Sequence, residues 1–207
     1  MSPDVSIIVP LRNQADTLPR LFASLAAQRS IALEIVIVDD LSDKSFDDVL
    51  DAWRGRGLDI VLCRPGRRLY TKDARLEGIR AARAPLIAFC DANDALVGEE
   101  VLARHVQRMR TEDADLLHFR VYIANADGSL QRYVYVADPF ADRLSGRDIF
   151  TAYMKTDIHG SCVLWNKLYR RDVFMQFADY AAQSRVKRYV EDIYLTSLSG
   201  GCGRLLL

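Results

Sequence analysis

Short apolar runs alternate with amphipathic segments along the first hundred residues. Four runs rich in β-branched residues predict buried strands, at residues 5–9, 35–38, 60–63 and 86–90. Apolar residues at helical spacing predict the helices between them, at residues 18–25, 45–54 and 72–82. Asp16 is the predicted N-cap of the first helix, and Pro10 is expected to end the first strand. This alternation predicts an α/β fold with a mostly parallel sheet and helices on both faces.

The spacing is less regular after residue 99. The pattern predicts a helix at residues 99–110 and strands at 116–123, 133–137, 161–164 and 204–207. The first two of these strands are joined by a turn at residues 125–128. Two further helices are predicted, one at residues 148–155 and one that opens at Glu191-Asp192 and closes at Gly200-Gly201. Because the last strand is cut short at Leu207, we expect a truncated sequence.

Three strands of the predicted sheet end in polar residues. These ends are Pro10-Leu11-Arg12-Asn13, Asp39-Asp40 and Asp91-Ala92-Asn93-Asp94. Ligands of open α/β sheets bind beyond the carboxyl ends of the strands. The sequence therefore predicts a ligand site at this edge of the sheet.

The acidic strand ends have two interpretations. Asp91, Asn93 and Asp94 offer hard oxygen ligands in four positions, which suits Mg²⁺ or Mn²⁺ holding a diphosphate. The same residue types also form turns that lead into a helix. Asp39-Asp40 allows both interpretations as well, and the presence of two such ends in one sheet favours a shared site.

Composition and charge narrow the class of protein. The 207 residues carry 28 basic and 28 acidic side chains, which gives no electrostatic reason to expect a nucleic acid partner. The four cysteines lie far apart, so neither a zinc site nor a disulfide framework is predicted. No run of about 18 apolar residues and no signal peptide is present, and we expect a cytoplasmic chain. Peripheral association with the inner face of a membrane is compatible with this expectation.

The residues around these strand ends resemble family 2 glycosyltransferases. The matching segments occur in the family's order and cover nearly the whole chain: Ser6–Pro10 with Asn13, Glu34–Asp43, Asp73–Gly78, Leu86–Asp94, Trp165–Arg171 and Glu191-Asp192. Each segment alone is weakly specific, whereas the ordered set is specific.

The resemblance implies the GT-A fold, with a Rossmann-like central sheet and a smaller acceptor-side β region. It implies inverting transfer of a sugar from a nucleotide diphosphate sugar, most often a UDP-sugar, to an acceptor hydroxyl. The product would be a cell-surface polysaccharide or glycoconjugate, and the acceptor a saccharide or a lipid-linked molecule. Residues 1–97 would form the nucleotide-sugar-binding half, and residues 98–207 the acceptor-side half with the catalytic base.

The resemblance also implies roles for individual residues. The residues implied to lie along the nucleotide are Pro10, Arg12, Asn13, Asp40, Arg75 and Asp91. Asp40 would accept a hydrogen bond from the base, and Asp91, Asn93 and Asp94 would hold the metal. Asp192, with Glu191 beside it, would be the general base.

The chemistry of transfer agrees with these roles. The acceptor hydroxyl needs a positioned carboxylate on one side, and the departing diphosphate needs a counter-charge on the other. Acidic residues are also common in the first turn of a helix, which is the structural alternative for Glu191-Asp192.

Two positions depart from the family pattern. The second acid of the family's D-x-D motif is Asn93 here, and an amide oxygen brings no charge to a metal. Arg12 stands where the family often has an aromatic residue, and its guanidinium plane suits stacking on a base or contact with a phosphate.

Other polar residues are interpreted mainly as structural. A basic stretch precedes the acidic turn and consists of Arg64, Arg67, Arg68, Lys72, Arg75, Arg80 and Arg83. Arg67, Arg68 and Arg75 would each suit contact with a diphosphate. Only Arg75 is expected at the site, because it lies in a matching segment and most of the others are expected on a solvated face. Lys167 lies in a matching segment without an assigned role. His118 is expected to be structural, and His159 is a weaker candidate for the acceptor side.

Two other classes of protein compete with an active transferase. Asn93 motivates a catalytically impaired domain that binds a nucleotide sugar or serves in assembly. A nucleotidyltransferase would show a glycine-rich, basic loop directly after the first strand, and Pro10–Asn13 contains no glycine.

Overall fold

A sheet of eight strands forms the centre of the computed structural model, which describes residues 2–119, 121–125, 127–132, 143–145, 164–176 and 204–206. In chain order the strands within these ranges are β1 (Val5–Leu11), β2 (Leu33–Asp39), β3 (Asp59–Cys63), β4 (Leu86–Phe89), β5 (Leu116–His118), β6 (Tyr122–Ala124), β7 (Leu130–Arg132), β8 (Arg143–Ser145), β9 (Lys167–Arg170) and β10 (Arg204–Leu206). Strands β6 and β7 form a separate two-stranded antiparallel sheet.

The helices connect the strands of the first half. They are a short 3-10 helix (Ala15–Thr17), α1 (Leu18–Ala26), α2 (Asp47–Arg54), α3 (Tyr70–Ala81) and α4 (Val101–Glu112). Residues 171–176 are also helical. None of the helices in the described ranges has the length and apolar character to cross a bilayer.

The strand order of the large sheet is β3-β2-β1-β4-β9-β5-β10-β8. Strands β1 to β4 are mutually parallel where they pair, and β9 runs antiparallel between β4 and β5. The mostly parallel sheet predicted from the sequence is confirmed. The sheet continues across residue 97, where the sequence predicts the division between two halves of the domain. Strand β9, from residues 98–207, pairs directly with β4, from residues 1–97.

Two hydrophobic clusters cover the two faces of the sheet. On β1, Ile7 and Val9 pack with α1, α2 and α4, whereas Ile8 packs on the other face with α3. This division follows from the strand repeat, in which successive side chains point to opposite faces. Apolar runs were the correct signal for these strands, because both faces of the sheet are buried.

Some predicted boundaries are wrong. Strand β1 continues through Pro10 to Leu11, because β4 pairs with β1 only as far as Ile8 and Pro10 there lies opposite β2 alone. Asp16 is not the cap of α1, since it lies inside the 3-10 helix and the N-cap position falls to Thr17.

Residues 98–207 show two further differences between the predicted and the observed strands. The strand predicted at residues 116–123 is divided into β5 and β6. Strand β9 was not predicted as a strand, because Lys167 and Arg170 at its ends obscure its two apolar residues. The elements predicted at 133–137, 148–155 and 191–201 lie outside the described residues, as does the strand at 161–164 except for Leu164, which forms a bend.

A buried polar network ties β1, β2 and the end of α3 together at the edge opposite the polar strand ends. Glu34 accepts hydrogen bonds from the Ser6 hydroxyl, the Arg83 backbone N–H at 2.8 Å and the Arg83 guanidinium. Burial alone raises the pKa of Glu34, but these donors together hold it below its ordinary value. Glu34 is therefore a structural carboxylate.

Gly78 lets α3 lie close against the sheet. A Cβ at this position would overlap Ile8 Cγ2 and lie 3.2 Å from Val38 Cγ2. Both neighbours are buried strand residues with no room to withdraw. This face of α3 is thus a packing surface, and Gly78 sets its distance from the sheet.

We expect Gly78→Ala to lower the free energy of unfolding by about 1–3 kcal/mol, because the new methyl group overpacks the contact between α3 and β1. Denaturant unfolding measures this loss. Gly55→Ala is the matched control, since a Cβ there would meet only ordinary contacts of 3.4 Å or more. Equal stability of the Gly78→Ala variant and the wild-type protein would contradict this account.

Candidate functional site

The polar strand ends meet at one edge of the sheet. Leu11 on β1 pairs with Asp39 on β2, and Ile8 pairs with Phe89 on β4. The ladders continue past the strands, since the Asp40 N–H donates to Leu11 O at 2.8 Å and the Cys90 N–H to Ile8 O at 3.0 Å. The structure therefore brings the loops after β1, β2 and β4 side by side.

The loops after β1 and β2 are bonded to each other. Asn13 and Asp43 exchange two hydrogen bonds of 2.8 Å, from the Asn13 amide to Asp43 Oδ2 and from the Asp43 N–H to Asn13 Oδ1. The Asn13 N–H also donates to Ser42 Oγ at 3.0 Å, and Arg12 Nε to Leu41 O at 3.1 Å. Asn13 and Leu41 take left-handed φ angles of 54° and 65°. The two loops thus form one preorganised surface, with Arg12 and Asn13 exposed on it.

Asp40 connects the end of β2 with the start of α3. Its Oδ1 accepts the Leu69 N–H, and its Oδ2 accepts the Tyr70 N–H at 3.0 Å. These are among the helix N–H groups that have no partner inside the helix. Arg68 adds an ion pair, with Nε 3.2 Å from Oδ2, and donates from Nη1 to Asp40 O at 3.1 Å. The carboxylate is buried, with 8% of the side chain exposed.

Asp39 faces a second arginine of the basic stretch. Its Oδ1 accepts the Ser42 N–H at 2.9 Å, and Arg64 Nε lies 3.4 Å from Oδ2. Arg64 also pairs with Asp47 at 2.8 Å, and this bond is the main reason why the pKa of Arg64 is raised. Arg64 and Arg68 therefore each pair with one of the two strand-end acids, which the sequence analysis did not anticipate.

Lys72 departs further from the expectation of a solvated basic face. Only 1% of its side chain is exposed, and Nζ lies 3.3 Å from Asp73 Oδ1. The burial of Lys72 in the first turn of α3 could be found only from the tertiary structure, because it depends on which distant segments cover the side chain.

The acidic turn after β4 pairs with α3. Arg75 Nη2 lies 3.4 Å from Asp91 Oδ1, and its guanidinium carbon lies 5.8 Å from the centre of the Phe89 ring. The Arg75 side chain is buried, while 44% of the Asp91 side chain is exposed. The Asp94 N–H donates to Asp91 O at 3.0 Å and closes the turn.

Asp94 is the acid of this turn with a raised pKa. Loss of hydration is the first cause and the neighbouring charge of Asp91 the second, while a hydrogen bond from the Asp91 backbone and the charge of Arg20 oppose them. The charge of Asp91 is thus close enough to disfavour ionisation of Asp94.

Helix α1 supports the acidic turn from the other side. Thr17 Oγ1 donates to Ala92 O at 2.7 Å, and the Arg20 guanidinium donates to Asn93 O. The Asn93 side chain is in the exposed part of the turn. The positive charge of Arg20 therefore lies next to Asn93, the residue of this turn that has an amide in place of an acid.

The donor set of this turn fits a metal shared with a diphosphate. The described residues contain no group of three or more His, Cys, Asp or Glu side chains that could enclose a metal. Mg²⁺ commonly takes only one or two protein carboxylates and completes its shell with phosphate oxygens and water. Asp91 and Asp94 supply two carboxylates, and a cation would relieve the repulsion that raises the pKa of Asp94.

A buried polar chain lies at the same edge, next to β4. Lys167 Nζ donates to Asn166 Oδ1 at 2.7 Å, and Asn166 Nδ2 donates to His118 Nε2. Burial and the charge of Lys167 lower the pKa of His118 to about 3, so the imidazole is a neutral acceptor. Because β9 runs antiparallel to β4, Lys167 and Asn166 lie toward the end of β4 that carries Asp91.

The predicted base lies elsewhere in the chain. Asp192, Glu191 and His159 are outside the described residues, and their roles stay predictions. Within the described part, the structure brings Pro10, Arg12, Asn13, Asp40, Arg75, Asp91, Asn93 and Asp94 to one edge of the sheet.

Solved structures show the same fold. A crystal structure of TarS from S. aureus superposes with a TM-score of 0.76 and 19% identity, covering 98% of this chain and 57% of that one. The mannosyltransferase PcManGT from Pyrobaculum calidifontis, in complex with GDP-Man and Mn²⁺, gives a TM-score of 0.60 and 17% identity over 86% of this chain and 47% of that one. The fold is therefore that of the GT-A glycosyltransferases.

Sequence comparison then gives the family. The family model described as glycosyl transferase family 2 matches residues 6–177, and the chain belongs to this family of glycosyltransferases. The succinoglycan biosynthesis protein ExoO of Rhizobium meliloti is 30% identical over 126 residues, which cover 61% of this chain and 35% of that protein. The chain spans half or less of the length of the curated relatives ExoO, GlyG and EpsJ that it matches.

We expect Asp94→Asn to be more stable than the wild-type protein near neutral pH. A raised pKa in the folded state means that folding favours the protonated acid, so stability is fully present below the ordinary value of 3.8 and is lost as the pH rises through the folded value. The gain in the variant should therefore shrink as the pH falls toward 3.8. Denaturant unfolding at a series of pH values measures it.

Asp127→Asn is the control with the opposite sign. Hydrogen bonds from Ser129 lower the pKa of Asp127, so that replacement should reduce stability near neutral pH. If Asp94→Asn also reduced stability at neutral pH, the reduced hydration of Asp94 and the charge of Asp91 would not govern the effect of this residue on stability.

Proposed function

We propose that this chain is the catalytic domain of an inverting glycosyltransferase that uses a UDP-sugar. The observation that carries this proposal is the meeting of three strand-end loops at one edge of the sheet, with Asp40, Asp91 and Asp94 on them. Structures of TarS in complex with UDP and with UDP-GlcNAc, at TM-scores of 0.75 and 0.74, support the choice of donor.

The nucleotide is proposed to lie across the joined loops after β1 and β2. Asp40 would accept a hydrogen bond from the base, and Arg12 is exposed for stacking or phosphate contact. The reciprocal bonds of Asn13 and Asp43 hold this surface before the nucleotide arrives. Preorganisation of this kind lowers the entropic cost of binding.

The diphosphate is proposed to lie at the acidic turn. Mg²⁺ or Mn²⁺ would be held by Asp91 and Asp94, with the Asn93 amide oxygen as a neutral third ligand, and would supply positive charge to the leaving diphosphate. Arg75, paired with Asp91 at 3.4 Å, orients that carboxylate and adds charge from the side of α3.

Asp192 is proposed as the general base. The acceptor oxygen attacks the anomeric carbon from the face opposite the diphosphate, the bond between that carbon and the diphosphate oxygen breaks, and the hydroxyl proton passes to Asp192. Configuration inverts in this single displacement. Glu191 is its proposed neighbour in the catalytic half, residues 98–207, while residues 1–97 bind the donor.

The acceptor is proposed to be a saccharide or a lipid-linked molecule in the synthesis of a cell-surface polysaccharide or glycoconjugate. The name of the relative ExoO, a succinoglycan biosynthesis protein, supports this class of product. With a lipid-linked acceptor, the protein would associate peripherally with the inner face of the membrane.

A second function is motivated by the acidic turn. Asn93 brings no charge, and the Arg20 guanidinium is bonded to its carbonyl oxygen. Both features weaken the attraction of the turn for a cation. A nucleotide-sugar-binding domain with impaired catalysis would have this arrangement.

Binding of UDP with and without Mn²⁺ separates the two functions. For an active transferase we expect Mn²⁺ to tighten UDP binding several-fold, because the cation bridges the diphosphate and the two carboxylates. Isothermal titration calorimetry measures both affinities. Asn93→Asp should increase the effect of Mn²⁺ by roughly tenfold, since it adds a charged ligand.

Asp48→Asn, on the exposed face of α2, is the control for a general change of charge. If Mn²⁺ left UDP binding of the wild-type protein unchanged and acted only on Asn93→Asp, the impaired domain would be favoured. Strong tightening in the wild-type protein would remove the motive for that second function.

Asp192→Asn tests the proposed base. We expect the substitution to reduce sugar transfer by about 100-fold or more, because the acceptor hydroxyl loses its proton acceptor, while UDP binding stays unchanged. Transfer is followed by UDP release, and binding by calorimetry. Wild-type turnover in the variant would exclude Asp192 as the base.

A further inference from the structure

We propose that Arg68 makes the base site selective for uracil over guanine by occupying one side of the Asp40 carboxylate. This inference rests on the proposed function, in which Asp40 meets the base of the donor nucleotide. It assigns the choice of nucleotide to a residue of the basic stretch before α3.

The hydrogen-bonding capacity of Asp40 is nearly filled inside the protein. A carboxylate has about four acceptor positions, two on each oxygen. Oδ2 accepts the Tyr70 N–H and has Arg68 Nε at 3.2 Å, so both of its positions are covered. Oδ1 accepts the Leu69 N–H, which leaves one acceptor position on that oxygen.

Arg68 is held in place from three directions. Its Nη1 donates to Asp40 O at 3.1 Å, its Nε faces Oδ2, and its guanidinium carbon lies 5.0 Å from the centre of the Tyr70 ring. A guanidinium has five N–H donors, and the contacts with Asp40 use those at Nε and Nη1, so others stay available to a ligand. About a third of the Arg68 side chain is exposed, which leaves those donors accessible to a ligand.

The two bases differ in the number of adjacent donors. Guanine presents N1–H and the N2 amino group side by side, and these match the two oxygens of an open carboxylate. Uracil presents a single N3–H between two carbonyl oxygens. One free acceptor on Oδ1, with Oδ2 covered by the guanidinium, complements the single N3–H of uracil. Guanine would leave its second donor facing the covered oxygen and a positive charge, without an acceptor.

The fold by itself does not choose the base. The same architecture is seen in TarS with UDP and in PcManGT with GDP-Man. Selectivity must therefore come from side chains around the base, and Arg68 is in direct contact with the carboxylate proposed to bind it.

The test compares UDP and GDP binding in the presence of Mn²⁺ by calorimetry. Because both nucleotides carry the same diphosphate, the ratio of their affinities cancels the phosphate and metal contributions. We expect the wild-type protein to bind UDP at least tenfold more tightly than GDP. Arg68→Met keeps an unbranched side chain at this position but removes the guanidinium, which frees one acceptor position on Oδ2, so the ratio should fall by roughly tenfold.

Arg64→Met is the matched control. It removes an arginine of similar exposure from the same stretch, but one that faces Asp39 and Asp47. We expect it to change UDP and GDP binding equally. An unchanged ratio in Arg68→Met, or an equal fall of the ratio in Arg64→Met, would overturn the inference.

Measurements on the wild-type protein alone also test the inference about Arg68 and the proposed function. Equal affinity for UDP and GDP, with sugar transfer from a UDP-sugar retained, would overturn the inference about Arg68 and leave the proposed function standing. Absence of UDP binding in the presence of Mn²⁺ would overturn the proposed function itself. Thermal unfolding of Arg68→Met shows whether a changed ratio comes from a folded protein.

Discussion

The contact on which the site depends is the capping of α3 by Asp40. The carboxylate at the end of β2 accepts the backbone N–H groups of Leu69 and Tyr70, where the helix would otherwise leave its donors unsatisfied. A negative charge at this end also interacts favourably with the helix dipole. The cap fixes where α3 starts relative to the sheet, and every residue that α3 contributes to the site is placed by it.

Close packing then fixes the rest of α3. Gly78 allows the helix to approach Ile8 and Val38, so the helix axis is set at one end by a charge and in the middle by steric contact. Between these two points lies Arg75, whose buried guanidinium reaches Asp91 at the end of β4. One helix thereby connects the loops after β2 and β4, which are proposed to bind the two ends of a nucleotide diphosphate.

The charges at this edge are balanced closely. Asp39, Asp40 and Asp91 each face an arginine, while Asp94 has a raised pKa because its hydration is reduced and Asp91 lies near. The described contacts give Asp94 no arginine ion pair, so a cation bound there would offset the charge of this acid. Asn93 and Arg20 act in the opposite direction, so the affinity of the turn for a metal is the property that separates an active transferase from a binding domain.

The sequence by itself determined the early strands and helices, the parallel sheet and the acidic strand ends. Each of these depends on local features, namely the periodicity of apolar residues and the polar residues that follow each apolar run. The sequence also determined the family, through the order of its motifs. Only the tertiary structure decided that Asp40 caps a helix about thirty residues away, that Arg68 covers one of its oxygens and that Lys167 is buried in β9 between β4 and β5. These contacts join segments distant in the chain, and no local pattern records which distant charge or strand a residue will meet.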